Sequence, residues 1–317
     1  MSYVGPEFEP VPQRRSRRGP FTVALAALVP AALAGWLVYE VVGDSGGSGG
    51  SGPSAQAAGV SGHSAGPSSP DAKGGRDGTG SPSASAGTAG SGGRSLKGKV
   101  VVIDPGHNPG NFKHATEINR QVNIGTNSKE CDTTGTATNA GYPEADFTLD
   151  VSRRLRTLLE ERGATVKLTQ DGDRPWGPCV TERAQIGNKA HADAAISIHA
   201  DGSAAGNRGF HVILPGAVHS GSADTRAIAG PSRDLGVGIK DGFARATGTA
   251  PSNYIGGGTG LDVRKDLGGL NLSTVPKVFI ECGNMRDSKD AALLTSGAWR
   301  QKAAEGISEG IVSFLRG

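Results

Sequence analysis

Between about residues 44 and 93 the sequence is almost entirely Gly, Ser, Ala and Pro, as in "GDSGGSGGSGPSAQ" and "SPSASAGTAGSGG". So few large apolar side chains cannot offset the entropy of ordering, so this composition predicts a disordered linker over 44–95. It also rules out one compact body for the whole chain of 317 residues. At roughly 5–6 Å times the square root of its length, such a linker has a mean reach of about 40 Å.

Ahead of the linker, "RRSRRGPFTVALAALVPAALAGWLVYEVVGD" sets a mainly apolar stretch, residues 21–39, behind Arg14, Arg15, Arg17 and Arg18. That length suffices for one membrane-crossing helix, here taken as 21–43 behind a basic tail, 1–20. Arginines before the span put the tail in the cytoplasm and everything after it outside, a single-pass protein of the cell membrane. The alternative is secretion after cleavage of a signal peptide, with Pro30 ending a short apolar region and Ala32-Leu33-Ala34 as the processing site. The continuation "GWLVYEVV" favours the anchor, and both readings export the rest of the chain. Net charge is +3, of which the tail holds four arginines less Glu7 and Glu9, so no basic footprint for nucleic acid remains. Nothing calls for a second copy, and a monomer is expected.

All three cysteines follow the linker, where disulfides persist. Cys131 ("SKECDTTG") and Cys179 ("WGPCVTER") sit in polar, Gly- and Pro-marked loops, whereas Cys282 ends the apolar run "KVFIEC". A Cys131–Cys179 disulfide with Cys282 buried and free is the expected pairing. Metal ligation by the first two is the rival, without a CxxC spacing to support it.

The remaining residues, 96–317, suit one large domain. "GKVVVID", "ATVKLT", "AAISIHA", "GFHVILP" and "KVFIECG" read as strands. "EADFTLDVSRRLRTLLEERG", "TERAQIGNKA", "SRDLGVGIKDGFARATG" and "AWRQKAAEGISEGIVSFLRG" read as helices. Alternating strands and helices predict an α/β fold: a single layered domain with a central, largely parallel sheet flanked by helices. In such sheets sites form beyond the carboxyl ends of the strands. His107 follows "VVVID", His199 ends "AAISIH" and Glu281 ends "KVFIE", so parallel strands would bring all three to one edge.

One histidine after a strand is ordinarily a hydrogen-bonded loop residue. Two at equivalent strand ends, with acids, point to a metal. A carboxylate at the tail of an apolar strand is costly to bury unless paired, hydrogen-bonded or metal-associated, so Glu281 belongs to the site or to a salt bridge with an arginine. Two imidazoles and a carboxylate are a common catalytic zinc set, and a second carboxylate would move the proton of an attacking water. Among Glu117, Glu130 and Glu144, all between the two histidine loops, Glu144 opens a helix and is the most rigidly placed. His211, inside "GFHVIL", faces the same edge or the core.

"VVIDPGHNPG", "GYPEADFTLDVSRRLRTLLEERGATVKLTQ", "AAISIHADG", "GFHVILP" and "VPKVFIECGNM" together resemble, in that order, the zinc-dependent N-acetylmuramoyl-L-alanine amidases of the Amidase_3 type. The resemblance covers nearly all of 96–317 and none of the anchor or linker. It implies His107, Glu144 and His199 as zinc ligands and Glu281 as the catalytic acid/base. It supports the Cys131–Cys179 pairing, since similar family members carry cysteines in both loops. Asp104 is either a residue behind the ligands or a turn cap. The stretch "SNYIGGGTGLDVRKDLGGLN" is either a groove wall, with Arg264 facing an acidic stem peptide, or a flexible loop with a solvated arginine; Asn284 is a second substrate-binding candidate. Two departures stand out: "GHNPG" where many relatives have "GHGG", and Cys282 in place of the commoner leucine. The implied substrate is peptidoglycan, cut between N-acetylmuramic acid and L-alanine. The rivals are a zinc peptidase acting within the stem and a non-catalytic wall-binding module. No inserted helix of the sort that could plug the site lies between the Glu144 and His199 motifs, so an open site is expected.

Overall fold

The computed structural model describes residues 95–317. The basic tail, the apolar span and, but for its last residue, the linker lie outside the described residues, and among those described no helix is long and apolar enough to cross a membrane.

The strands are β1 (Val100–Pro105), β2 (Gln121–Asn123), β3 (Ser128–Glu130), β4 (Thr165–Leu168), β5 (Ala194–Asp201), β6 (His211–Pro215), β7 (His219–Ser220), β8 (Ala223–Asp224), β9 (Leu261–Arg264) and β10 (Lys277–Asn284). The helices are α1 (Ala115–Ile118), α2 (Glu144–Glu160), α3 (Val180–Lys189), α4 (Ala229–Thr247), α5 (Gly268–Asn271), α6 (Ser288–Leu294) and α7 (Gly297–Leu315). Six strands form the central sheet in the order β4-β1-β5-β10-β6-β9. β4, β1, β5 and β10 run parallel; β6 pairs antiparallel with β10, and β9 lies parallel to β6. The sheet is thus mostly parallel with a reversed edge. β9 falls inside the glycine-rich stretch read as a wall or loop, where a four-residue strand in the seven residues between Gly260 and Gly268 gives too short a pattern to register.

Alternation along the strands divides the chemistry between two faces. Val101 and Ile103 of β1, Ile196 and Ile198 of β5, and Val278 and Ile280 of β10 belong to one large core, which also contains Phe147 and Leu155 of α2, Ile239 and Phe243 of α4, and Ile307 and Ile311 of α7. Asp104, Ser197, His199, Lys277, Phe279 and Glu281 occupy the other positions of the same three strands, in register across the sheet. Toward the N-terminal end of that second face, Val102 and Ala195 form a small apolar cluster with Ile186 of α3.

α4 and α7 meet backbone to backbone. A Cβ on Gly242 would stand 2.3 Å from the carbonyl oxygen of Gly306, and one on Gly310 would stand 2.4 Å from Ile239 Cα. Only glycine permits that approach, which seals the core on the face away from the polar side chains.

Candidate metal centre and its cleft

β1 runs into Gly106 and His107. A Cβ at Gly106 would lie 2.3 Å from the His199 ring, so a larger residue would displace that imidazole. His107 adopts a left-handed backbone, φ 63°, uncommon for a residue with a side chain and characteristic of functional positions held by their surroundings. Glu144 is the first residue of α2, where the helix N-terminus favours an anionic side chain. Its Oε2 accepts a hydrogen bond from the Thr136 amide (2.9 Å) and its Oε1 one from the Ala200 amide (3.2 Å).

His107 Nε2 lies 3.1 Å and His199 Nδ1 3.0 Å from the same Glu144 oxygen, Oε1. One potential ligand atom from each of the three residues falls within 4.8 Å of the others. The far side of each ring decides where its proton sits. His107 Nδ1 is 3.0 Å from the Thr133 carbonyl, which can only accept, so Nδ1 carries the hydrogen and Nε2 a lone pair. Ser197 Oγ donates to Asp104 Oδ2 (2.9 Å), so the hydroxyl is left to accept from His199 Nε2 (3.1 Å), and His199 Nδ1 keeps its lone pair. Two lone pairs and a carboxylate oxygen therefore converge on one point, a donor set fitted to a metal cation. Phe279 stacks on the His199 ring (centroids 5.2 Å apart, 3° between planes), and the two imidazoles meet edge to face at 4.9 Å.

The charges follow this geometry. Burial alone would raise the Glu144 carboxyl, but the two imidazoles outweigh it and hold the group well below the usual carboxylate range. Burial would lower His107, and the Glu144 and Asp132 carboxylates reverse this and raise it. Glu281 stands opposite His199 in the β5–β10 register, with its Oε2 buried and without a hydrogen-bond partner. Burial, then the negative charges of Glu144 and Asp201, push its carboxyl well above the ordinary value, against a weaker pull from Arg264.

Behind the ligands lies a buried ionic group, of which sequence reasoning offered Asp104 and missed Arg183, Asp132 and Lys277. Arg183 of α3 bonds to Asp104 Oδ1 (2.7 Å), Asp132 Oδ2 (2.8 Å) and the carbonyls of Pro105, His107 and Pro178. Lys277 Nζ approaches Asp104 Oδ2 to 3.2 Å. Burial would raise Asp104, but Lys277 and Arg183 prevail and hold it far below the carboxylate range. Asp104 caps no turn; it holds Ser197, which in turn touches His199.

Cys131 and Cys179 are joined, and Cys282 is buried and free. The bridge ties the segment carrying Asp132 and Thr133 to the start of α3, hence to Arg183. Arg264 lines the cleft, with its guanidinium paired with Asp266 (2.7 and 2.9 Å). Tyr254, in the same glycine-rich stretch, donates to Asp201 Oδ2 at 2.8 Å, so the wall is fastened to β5. Asn284 is a correction: it is fully buried, and its amide nitrogen donates to the carbonyls of Ser203, Ala204 and Asn207, so it braces a loop instead of facing substrate. His211 lies buried opposite Glu281 and outside the cleft lining. Glu117 pairs with His114, and Glu130 lines the cleft apart from the ligand set. The cleft encloses about 330 Å³ and is open to solvent.

A family model described as N-acetylmuramoyl-L-alanine amidase, Amidase_3, matches residues 101–313. The N-acetylmuramoyl-L-alanine amidase Rv3717 of Mycobacterium tuberculosis is 41% identical over 223 residues, covering 70% of this chain and 88% of the relative. The structure of the N-acetylmuramyl-L-alanine amidase Ami1 of Mycobacterium smegmatis superposes with a TM-score of 0.65 at 41% identity, covering 70% of this chain and 99% of that one. The apo form of Ami1 from Mycobacterium abscessus gives 0.63 at 41% identity, over 69% and 100% of the two chains.

Proposed function

Because this chain belongs to the Amidase_3 family of N-acetylmuramoyl-L-alanine amidases, we propose that it hydrolyses peptidoglycan at the amide joining the lactyl group of N-acetylmuramic acid to the L-alanine of the stem peptide, with a zinc ion as cofactor. One observation carries the metal reading: the lone pairs of His107 and His199 and the Glu144 carboxylate converge on one point, with every outward nitrogen and oxygen already engaged. His107, Glu144 and His199 would hold the ion. Zinc bound there supplies a Lewis acid and makes water more acidic at neutral pH.

The remaining chemistry belongs to Glu281. Its unpartnered Oε2 is free to accept the proton released as water adds to the amide carbon. It then delivers that proton to the nitrogen as the carbon–nitrogen bond breaks, so the products are the muramoyl carboxylate and a stem with a free L-alanine amine. Burial raises the proton affinity of Glu281, which favours the accepting half of that transfer, and protonation of the leaving nitrogen returns the carboxylate.

The test is mass spectrometry of muropeptides digested by the full chain with added zinc. An intact stem with an L-alanine amino terminus is expected; stem fragments would mark a peptidase instead. Glu281→Ala should reduce turnover by at least about a thousandfold, within the range seen when one essential catalytic group is removed. Wall solubilisation as fast as the parent's would leave the binding-module reading. A chelator should abolish activity and zinc restore it. The reading further places the protein as a monomer in the cell membrane through 21–43, or secreted; partition of the chain between membrane and medium distinguishes the two.

A further inference from the structure

The turn that departs from the common family form carries an aromatic side chain out into solvent. Asn108 is buried; its amide donates to the Gly177 carbonyl (2.9 Å) and its Oδ1 accepts from the Gly110 amide (2.8 Å). Asn111 is fully buried and donates to Asp132 Oδ2 and the Thr133 carbonyl while accepting from the Gly177 amide. Between these anchors the residues Asn111–Lys113 form one 3₁₀ turn, on which Phe112 is 68% exposed. A single exposed apolar side chain is ordinary by itself; what singles out Phe112 is that its turn is fastened and that it borders a concavity beside the candidate metal centre.

Phe112 borders a trough of about 400 Å³, the size of a small-ligand site, whose floor and rim include Asn108, Pro109, Gly135, Thr136 and Pro143. The trough adjoins the candidate active site. Asn108 follows His107, Ala145 follows Glu144, and Thr136 lines both trough and cleft. Only one thickness of backbone intervenes, since a Cβ on Gly135 would stand 2.7 Å from the His107 ring and 2.8 Å from Glu144 Oε2. The trough has no cation among its lining residues, and its one charged residue is Asp146. Lys129 and Arg264 line the cleft and not the trough. Lys113 Nζ stands 5.2 Å over one face of the Phe112 ring, outside the trough lining. Within the trough a stem peptide rich in carboxylates meets no cation, whereas an uncharged sugar meets the ring and neutral polar groups.

We propose that this trough is a glycan subsite, in which Phe112 stacks against the apolar face of an N-acetylhexosamine in the strand that carries the scissile lactyl amide. The identity of the ligand rests on the amidase reading above. The muramoyl ring next to the cleaved bond lies beside the metal site, and the next sugar crosses the Thr136 rim onto Phe112. The Asn108-Pro109 departure thereby acquires a purpose: it builds the turn that presents the ring.

The test uses chitotetraose, an uncharged N-acetylglucosamine tetramer without the scissile bond, and saturation-transfer NMR on the full chain. Phe112→Ala is expected to weaken binding about fivefold or more, the scale of one aromatic contact, while Phe112→Trp restores it. Val263→Ala, at the other exposed large apolar residue among the described residues, serves as the control and should bind like the parent. In cleavage assays the preference for a four-sugar strand over a single muramoyl dipeptide, taken as a ratio of kcat/KM, should fall by a similar factor in Phe112→Ala. Chitotetraose binding equal in the parent and Phe112→Ala, or absent from the parent, overturns the subsite. Sugar binding that depends on Phe112 in a protein that cleaves neither substrate would leave the subsite standing and remove the amidase reading.

Discussion

Replacing Ser197 by alanine removes the acceptor that fixes the proton on His199 Nε2 and cuts the link to Asp104. Losses of this kind behind a metal ligand typically cost about 10- to 100-fold in affinity. Ser197→Ala should therefore weaken zinc binding by that factor in a chelator competition, with Ser197→Thr keeping most of it. Asp104 sets the acid limit. Its carboxyl is depressed in the folded state, so its contribution to stability is complete above the unfolded value near pH 4 and is lost as pH falls below it. Urea midpoints should drop steeply below about pH 4 in the parent. Asp104→Asn, which leaves buried Lys277 without its carboxylate and Arg183 with Asp132 as its one remaining acid, should be less stable by about 3–5 kcal/mol at neutral pH and flatter toward acid. His107, His199 and Glu281 could be picked out from the sequence because strand ends announce themselves, and Glu144 because a helix start does. Lys277 could not, since its partner Asp104 lies 173 residues away and a lysine opening an apolar strand looks solvated. Proximity to Glu281 in sequence does not carry the Asn284 side chain to the cleft, because the carbonyls of Ser203, Ala204 and Asn207, about eighty residues earlier, take up its amide.

At the scale of elements, the contact between α4 and α7 is the least forgiving surface. Gly310→Ala sets a methyl against Ile239 Cα and the Gly238 carbonyl, backbone that cannot turn aside. Overpacking of this kind costs about 1–3 kcal/mol, so the thermal midpoint should fall by several degrees, read by calorimetry. Exposed Gly230, with nothing near its Cβ position, should tolerate alanine. The strong helical periods of α2 and α7 and the apolar runs of β1, β5 and β10 were visible in the sequence because each is long enough to repeat. β2, β3, β7, β8 and β9 span two to four residues each, too short for a period to repeat; β2–β3 and β7–β8 are local hairpins, whereas β9 rests on β6, about fifty residues earlier.

In the molecule as a whole, the Cys131–Cys179 bridge closes a separation of 48 residues that contains α2 and β4. Chain-entropy reasoning gives such a loop about 4 kcal/mol. The Cys131→Ser/Cys179→Ser double variant should lose up to that amount in urea titration and release zinc sooner, because Thr133 and Arg183 are held on either side of the bridge. The direction in which the chain enters this body matters too. Leu96 is buried and bonds to the Arg162 carbonyl, beyond the last turn of α2, whereas Glu144 begins that helix. Seventeen residues at 1.5 Å separate the two ends of α2 by about 25 Å. A carrier, bead or tag attached ahead of residue 95 therefore meets the domain at the edge remote from the cleft. Fixed to a solid support by that end, the domain would present its entrance outward.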